Sequence, residues 1–212
     1  MKKVYFISGL GADKRVFSFL ELSSCEPVYL DWIAPEKKES LESYAQRLRN
    51  TIPEKEPIIV GISFGGMLAA EMAHADKDVK AIIIASNRSA AEFPKYLRVS
   101  KYFPVYKWLP AGMLKRSAYA FKWVLGRNEK VQKRIILDII RDTDMHFVKW
   151  AVDAILHWNT MDAPGNIIHI HGTADKLLPY RFVKADYTIE GGPHVLPLDK
   201  PREVSALLNK LI

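Results

Sequence analysis

IIVGISFGGM, Ile58 to Met67, joins an apolar β-branched run to what reads as the start of a helix, with a lone serine between glycines at the join. Serine adds nothing to packing there, and glycines near a helix start cost backbone entropy. The spacing Gly61-x-Ser63-x-Gly65, followed by Gly66, instead suits a sharp strand-to-helix turn that lifts the serine hydroxyl above a sheet. Free N–H groups at the helix start below it could stabilise negative charge. A small residue filling a tight turn is the plain alternative for Ser63, because a five-residue pattern recurs by chance.

A serine hydroxyl is a poor nucleophile without a base, and the base needs an orienting acid. Both have candidates in the order Ser, Asp, His. IHIHGTADKLLP puts Asp175 just beyond an apolar strand, and YTIEGGPHVLPLDKP puts His194 beyond the last predicted strand and a Gly191-Gly192-Pro193 turn. Each candidate thus follows a strand directly, where ligands gather in open α/β sheets. Asp175 could also cap a helix before Leu177. Asp186 is a rival acid, but it opens a strand. His169 and His171 read as structural, and His74, His146 and His157 as helix residues with no metal-ligand spacing. Cys25 has no basic neighbour and reads as inert.

Around these residues short apolar runs alternate with amphipathic stretches, the pattern of a parallel sheet covered by helices on both faces. Strands are expected at Lys3–Ser8, Pro27–Leu30, Ile58–Ile62, Ala81–Ala85, Ile167–His171 and Asp186–Glu190. Leu41, Tyr44, Ala45 and Leu48 follow helical spacing behind a Ser40 cap, as do Val204, Leu207, Leu208 and Leu211 behind Pro201. The alternation breaks once. The 81 residues between Ala85 and Ile167 exceed what a crossover needs, and they hold 12 of the 23 aromatic residues. Helices are expected there at 111–125, 128–141 and 145–158, forming a cap laid over one sheet edge. The division is therefore a core of 1–87 and 161–212 and an inserted helical cap of 88–160 that is not an independent domain.

The chain has 212 residues, 49% hydrophobic and 26% charged, enough for one domain with a sizeable core. One cysteine excludes an internal disulfide framework. The apolar run after the two N-terminal lysines is too short for a secretory signal, and no stretch approaches the roughly 20 apolar residues of a membrane span. A soluble, cytoplasmic monomer or homodimer without stable membrane insertion is expected. The net charge of +7 is concentrated: residues 88–127 carry nine Lys or Arg against Glu92, a local +8, so the remainder sums to −1. Such a run is commonly a solvated face. Near a site entrance it would attract an anionic small-molecule substrate. No nucleic-acid-binding signature accompanies it.

SGLGAD (Ser8–Asp13), GISFGG (Gly61–Gly66), HGTADKLLP (His171–Pro179) and GGPH (Gly191–His194) together resemble the α/β-hydrolase superfamily over nearly the whole chain. The resemblance implies an α/β three-layer sandwich with a six-stranded, mostly parallel sheet in the order 2-1-3-4-5-6 and a cap after the fourth strand. It also implies Ser63 as nucleophile, His194 as base and then acid, and Asp175 as the orienting carboxylate. The implied oxyanion hole takes the N–H groups of Phe64 and Leu10. Two departures stand out: Ser8 occupies the usual histidine position of the oxyanion loop, and the family's first two strands have no counterpart. Trp158, at the cap's return, is a candidate substrate contact, with Asn159 beside it. The expected activity is an esterase or thioesterase working through an acyl-enzyme on Ser63, with no metal or organic cofactor. The same residues would serve C–C or amide hydrolysis, or survive in a ligand-binding or signalling homologue with little turnover.

Overall fold

The computed structural model describes residues 1–94 and 130–212, with Tyr102, Trp108, Pro110, Gly112, Met113 and Arg116 between them. The helix expected at 111–125 and most of the basic run therefore lie outside the described residues. β1 (Lys2–Ile7), β2 (Cys25–Tyr29), β3 (Ile58–Ile62), β4 (Lys80–Ile84), β5 (Ile167–Gly172) and β6 (Tyr187–Ile189) form one sheet in the order β2-β1-β3-β4-β5-β6. Every pairing is parallel, with Ile7 opposite Gly61 and Ile62 opposite Ile84. The expected strands stand within one or two residues of these bounds.

Period-2 alternation sorts the strand residues between two apolar layers. Tyr5, Ile7, Ile59, Ala81 and Ile83 face one layer, and Val4, Phe6, Val60, Ile82 and Ile84 the other. On the first lie α1 (Leu41–Arg49), α2 (Phe64–Ala75) and a later helix, which we number α4 (Met145–His157). On the second lie α3 (Lys130–Asp142), the short α5 (Leu196–Asp199) and α6 (Pro201–Leu211). This is a three-layer α/β sandwich. Ser40 caps α1 by accepting from Ser43 N at 3.2 Å, and Leu41, Tyr44, Ala45 and Leu48 are its buried stripe. α2 is buried from Phe64 to Ala73, almost all round, which marks it as the central helix.

The order of the strands has a functional consequence. β1 sends the chain outward to β2, after which β3 returns to pair on β1's other side. The carboxyl ends of β1 and β3 therefore flank the switch point, where loops leaving adjacent strands diverge and a crevice opens. The loop Ser8–Asp13 leaves β1 there, and Ser63 leaves β3.

α4 is fastened to α2 by a polar bond inside the first layer. Trp158 Nε1 donates to Glu71 Oε1 at 2.6 Å, and both residues are 5% exposed. Burial pushes the Glu71 carboxyl above its ordinary value, against the opposing bonds from Thr160 and Trp158. A carboxyl whose pKa is raised on folding contributes fully below its unfolded pKa, and that contribution is lost as pH rises through the folded one. Glu71→Gln keeps an acceptor for Trp158 and removes the titration. In urea unfolding across pH, the wild type should lose stability above the ordinary glutamate range relative to Glu71→Gln, with the two converging in acid. Parallel profiles would contradict this account of Glu71.

Candidate functional site

Ser63 begins α2 at φ 53° and ψ −119°, a backbone position that side chains rarely adopt. Three close approaches hold it there. A Cβ at Gly61 would overlap the Gly65 carbonyl oxygen, and one at Gly65 would overlap the Ser8 carbonyl oxygen. One at Gly66 would stand 2.5 Å from Ser86 Oγ. Glycine is therefore required at all three positions by space alone. The turn is locked from the neighbouring strand, because Ser63 N donates to Ile84 O at 2.9 Å and Ser86 Oγ donates to Ser63 O at 2.7 Å. Ala85, between those two partners, also has a positive φ, 46°.

Serine is a favoured helix cap, yet the Ser63 side chain makes no capping bond. Its Oγ lies 2.9 Å from His194 Nε2, and His194 Nδ1 lies 2.8 Å from Asp175 Oδ2. Residues from the ends of β3, β5 and β6 thus form one hydrogen-bonded chain. Asp175 Oδ2 is an acceptor only, so Nδ1 carries the proton and Nε2 presents its lone pair to the serine hydroxyl. That arrangement can draw a proton from Oγ as the oxygen attacks an electrophile.

The loops after β5 and β6 are brought together by another glycine contact. A Cβ at Gly172 would overlap the Gly192 carbonyl oxygen. Ala174 N donates to Gly192 O at 3.0 Å and Gly191 N to Thr173 Oγ1 at 2.8 Å. Gly191 itself has φ 64°, the left-handed region that glycine enters freely. Asp175 Oδ1 accepts from Leu177 N at 2.8 Å and Leu178 N at 2.9 Å, which closes a turn where a helix cap was the alternative expectation. Burial works to raise the Asp175 carboxyl, but His194 beside it and the bond from Leu178 N outweigh that and hold it below its ordinary value. It is therefore a carboxylate at neutral pH.

Phe64 N–H stands at the start of α2, where a helix supplies no acceptor. Leu10 belongs to the loop that crosses over Ser63: a Cβ on Gly9 would lie 3.5 Å from Ser63 Cβ. Three side chains hold this loop by its Gly11 and Ala12 carbonyls. Ser8 Oγ and Trp32 Nε1 both donate to Ala12 O, at 2.8 and 2.7 Å, and Thr143 Oγ1 donates to Gly11 O at 2.6 Å. Ser8 is thus the loop's own brace. Trp32, Thr143 and Ser86 are supports that no sequence pattern marks. A cavity of about 430 Å³ lies against the loop, walled by Gly11, Ala12, Trp32, Thr143 and Phe147. The Trp32 and Phe147 rings also pack on Phe64, with centroids 5.7 and 6.3 Å away.

The remaining candidates lie elsewhere. Trp158 is buried between Glu71 and Phe93, its ring meeting Phe93 edge-on at 5.6 Å. Asp186 Oδ2 accepts from His169 N at 2.7 Å and pairs with Arg88. Of the basic run, Arg88 is thereby engaged and Arg116 is exposed, while Lys95, Arg98, Lys101, Lys107, Lys115, Lys122 and Arg127 lie outside the described residues. Cys25 is buried, and burial raises its thiol pKa. Among the described residues no His, Cys, Asp or Glu group has the arrangement of a metal site, and no helix is long and apolar enough to cross a membrane.

A family model described as the alpha/beta hydrolase family matches residues 4–207. A search of curated proteins finds no match. Among solved structures, an esterase from Exiguobacterium antarcticum superposes with a TM-score of 0.75 at 13% identity, covering 100% of this chain and 91% of that one. A lipase-esterase related protein from Clostridium acetobutylicum gives 0.72 at 15% identity, over 100% and 94%. An epoxide hydrolase from Bacillus megaterium gives 0.72 at 10% identity, over 98% and 92%. At these identities the superpositions establish the shared fold.

The glycine contacts yield a contrast that stability measurements can test. Gly65→Ala forces a Cβ into the backbone of Ser8 and Ile7, so a loss of about 3 kcal/mol or more is expected. Gly9→Ala meets only ordinary contacts and should cost less than about 1 kcal/mol. Equal losses in urea titrations would show that the two backbones do not approach as closely as this.

Proposed function

The chain belongs to the alpha/beta hydrolase family, and from that premise we propose that it is a serine hydrolase cleaving an ester or thioester of a small organic acid. The carrying observation is the single imidazole bonded on one side to Ser63 Oγ and on the other to Asp175. Ser63 Oγ attacks the carbonyl carbon as His194 Nε2 takes its proton. The resulting oxyanion is received by the N–H groups of Phe64 and Leu10. His194 then hands the proton to the departing alkoxide or thiolate, leaving an acyl-serine. Water attacks that acyl group with His194 again as base, and Ser63 is regenerated with release of the acid.

Asp175 stays ionised throughout. Its role is to hold the Nδ1–H tautomer and to offset the positive charge that forms on the ring. The cavity beside the oxyanion loop has a volume in the range of small-molecule sites, with an aromatic wall suited to an apolar acyl or alcohol group. We read residues 88–160 as the cap over this site and as an insertion in the core. Phe147, Ala151, Ala154 and Trp158 support that reading, because they share one apolar cluster with α1 and α2. If the basic residues of 88–127 face the site entrance, they would attract an anionic substrate; as a solvated face they would not bear on it.

Mass spectrometry after exposure to an organophosphonate, alongside a p-nitrophenyl ester series, tests the reading. One adduct on Ser63 with steady ester turnover is expected, and both should vanish in Ser63→Ala. Asp175→Asn should retain the fold and lose about 10³- to 10⁴-fold in kcat, because the imidazole then takes the wrong tautomer. A folded wild-type protein that forms no adduct, or a slow single burst ending in a stable adduct, would leave a ligand-binding homologue in place of an enzyme.

A further inference from the structure

Two buried histidines stand behind Asp175. His169 and His171 are two residues apart on β5, so they share a face of the sheet, and both are 0% exposed. Packing alone would be served by valine or isoleucine, while a buried imidazole needs partners for its nitrogens. The partners are specific. His171 Nε2 lies 2.8 Å from Leu178 O and 3.5 Å from Asp175 Oδ2, the same carboxylate oxygen that binds His194. His171 Nδ1 lies 3.1 Å from His169 Nε2.

This geometry fixes the protons. Nε2 of His171 faces two oxygens, so it carries the hydrogen, and Nδ1 is left to accept from His169 Nε2–H. Burial depresses the pKa of His171, with its own bond to Leu178 O and the Asp175 charge opposing, and burial depresses that of His169 further. Both rings are neutral at working pH. The other ionisable groups facing the pair are few. Asp175 and His194 lie beyond Nε2 of His171, and the Tyr180 ring stands 6.3 Å from its ring. Arg88, Asp186 and Lys184 surround His169, with Glu92 accepting from the N–H groups of Arg88 and Lys184.

We propose that His171 is a positioning residue for the Ser63–His194–Asp175 chain. Its Nε2–H anchors the 175–178 turn through Leu178 O and sets a dipole against the Asp175 oxygen that binds His194. His169 holds that ring in the required tautomer. The dipole takes up part of the carboxylate's charge, so less of it acts on the His194 ring. Removing it leaves the carboxylate pulling harder on the Nδ1 proton and favours the protonated ring, in which Nε2 cannot serve as base. The inference rests on the hydrolase reading for its effect on rate, but the effect on the His194–Asp175 bond does not.

Two readouts separate those parts. One is the pH dependence of Ser63 phosphonylation, followed by mass spectrometry. The other is the proton resonance of His194 Nδ1–H, which reports its bond to Asp175 without any turnover. In His171→Leu the midpoint of the acidic limb should move up by about half a unit, a threefold change in proton affinity. The Nδ1 resonance should move with it. His171→Gln can present an amide N–H to the same two oxygens and should restore both. His171→Asn is too short to do so and should behave like the leucine variant, which covers the case in which leucine fails to fold. Unchanged midpoint and resonance in the folded leucine or asparagine variant, with only stability reduced, would overturn the proposal. A resonance that responds to His171 in a protein that turns over no ester would uphold the positioning role and sink the hydrolase reading.

Discussion

The structure turns on the backbone of Ser63. At φ 53° and ψ −119° a non-glycine residue carries a cost of order 1–3 kcal/mol, which persists only where surrounding structure fixes it. Here the fixing is mutual. β3 can end in that turn because Gly61 lets the start of α2 fold back onto the strand, and Gly65 lets α2 press against the end of β1. Parallel pairing of β3 with both β1 and β4 then supplies the partners. Ile84 O takes the Ser63 N–H and Ser86 Oγ supports the Ser63 carbonyl. The central α2, buried almost all round, is a consequence as much as a cause: a helix pressed this closely to a sheet has little surface left for water.

The same logic repeats at the other end of the sheet at lower cost. Gly172 and Gly192 allow the turns after β5 and β6 to touch, and three backbone or hydroxyl bonds between the ends of β5 and β6 and their turns hold them there. Residues 19 apart in sequence, Asp175 and His194, thereby come within 2.8 Å. Neither loop needs regular structure for this, since each leaves a strand whose position the sheet already sets. Strong positioning of loop residues by a rigid scaffold is what a reacting group requires.

Much of this was legible in the chain itself. The six strands, and the places of Ser63, Asp175 and His194 directly after three of them, follow from apolar runs punctuated by glycines, and each strand bound differs by two residues or fewer; the order of the strands is what the resemblance to the α/β-hydrolases implied. β2 shows why the bounds slip: it begins at Cys25, ahead of Pro27, because an edge strand takes its start from the residues of β1 it pairs with, Lys2 opposite Cys25. Supports that act at long range were not legible. Trp32 and Thr143 reach the Ser8–Asp13 loop from 20 and 132 residues away, and nothing local in their sequence distinguishes them from core or turn residues. His169 and His171 read as structural from the sequence, and no local pattern marks a strand histidine as facing Asp175. Only the sheet's period-2 geometry and the following turn bring them there.

Ser8 shows how such a site tolerates a changed residue. The peptide that carries the Leu10 N–H also carries the Gly9 carbonyl, and Ala12 N donates to that carbonyl at 2.9 Å within the loop. Side-chain donors fix the next stretch of the loop, at the carbonyls of Gly11 and Ala12. Ser8 Oγ supplies one bond to Ala12 O, Trp32 Nε1 a second, and Thr143 Oγ1 binds Gly11 O. These donors come from three separate segments, so orientation of the loop does not depend on the first residue alone. The Thr143 bond also ties the loop to the turn between α3 and α4, which places those two helices and the switch point of the sheet under one constraint. A substitution at Thr143 would release the Gly11 carbonyl and loosen the loop that crosses over Ser63.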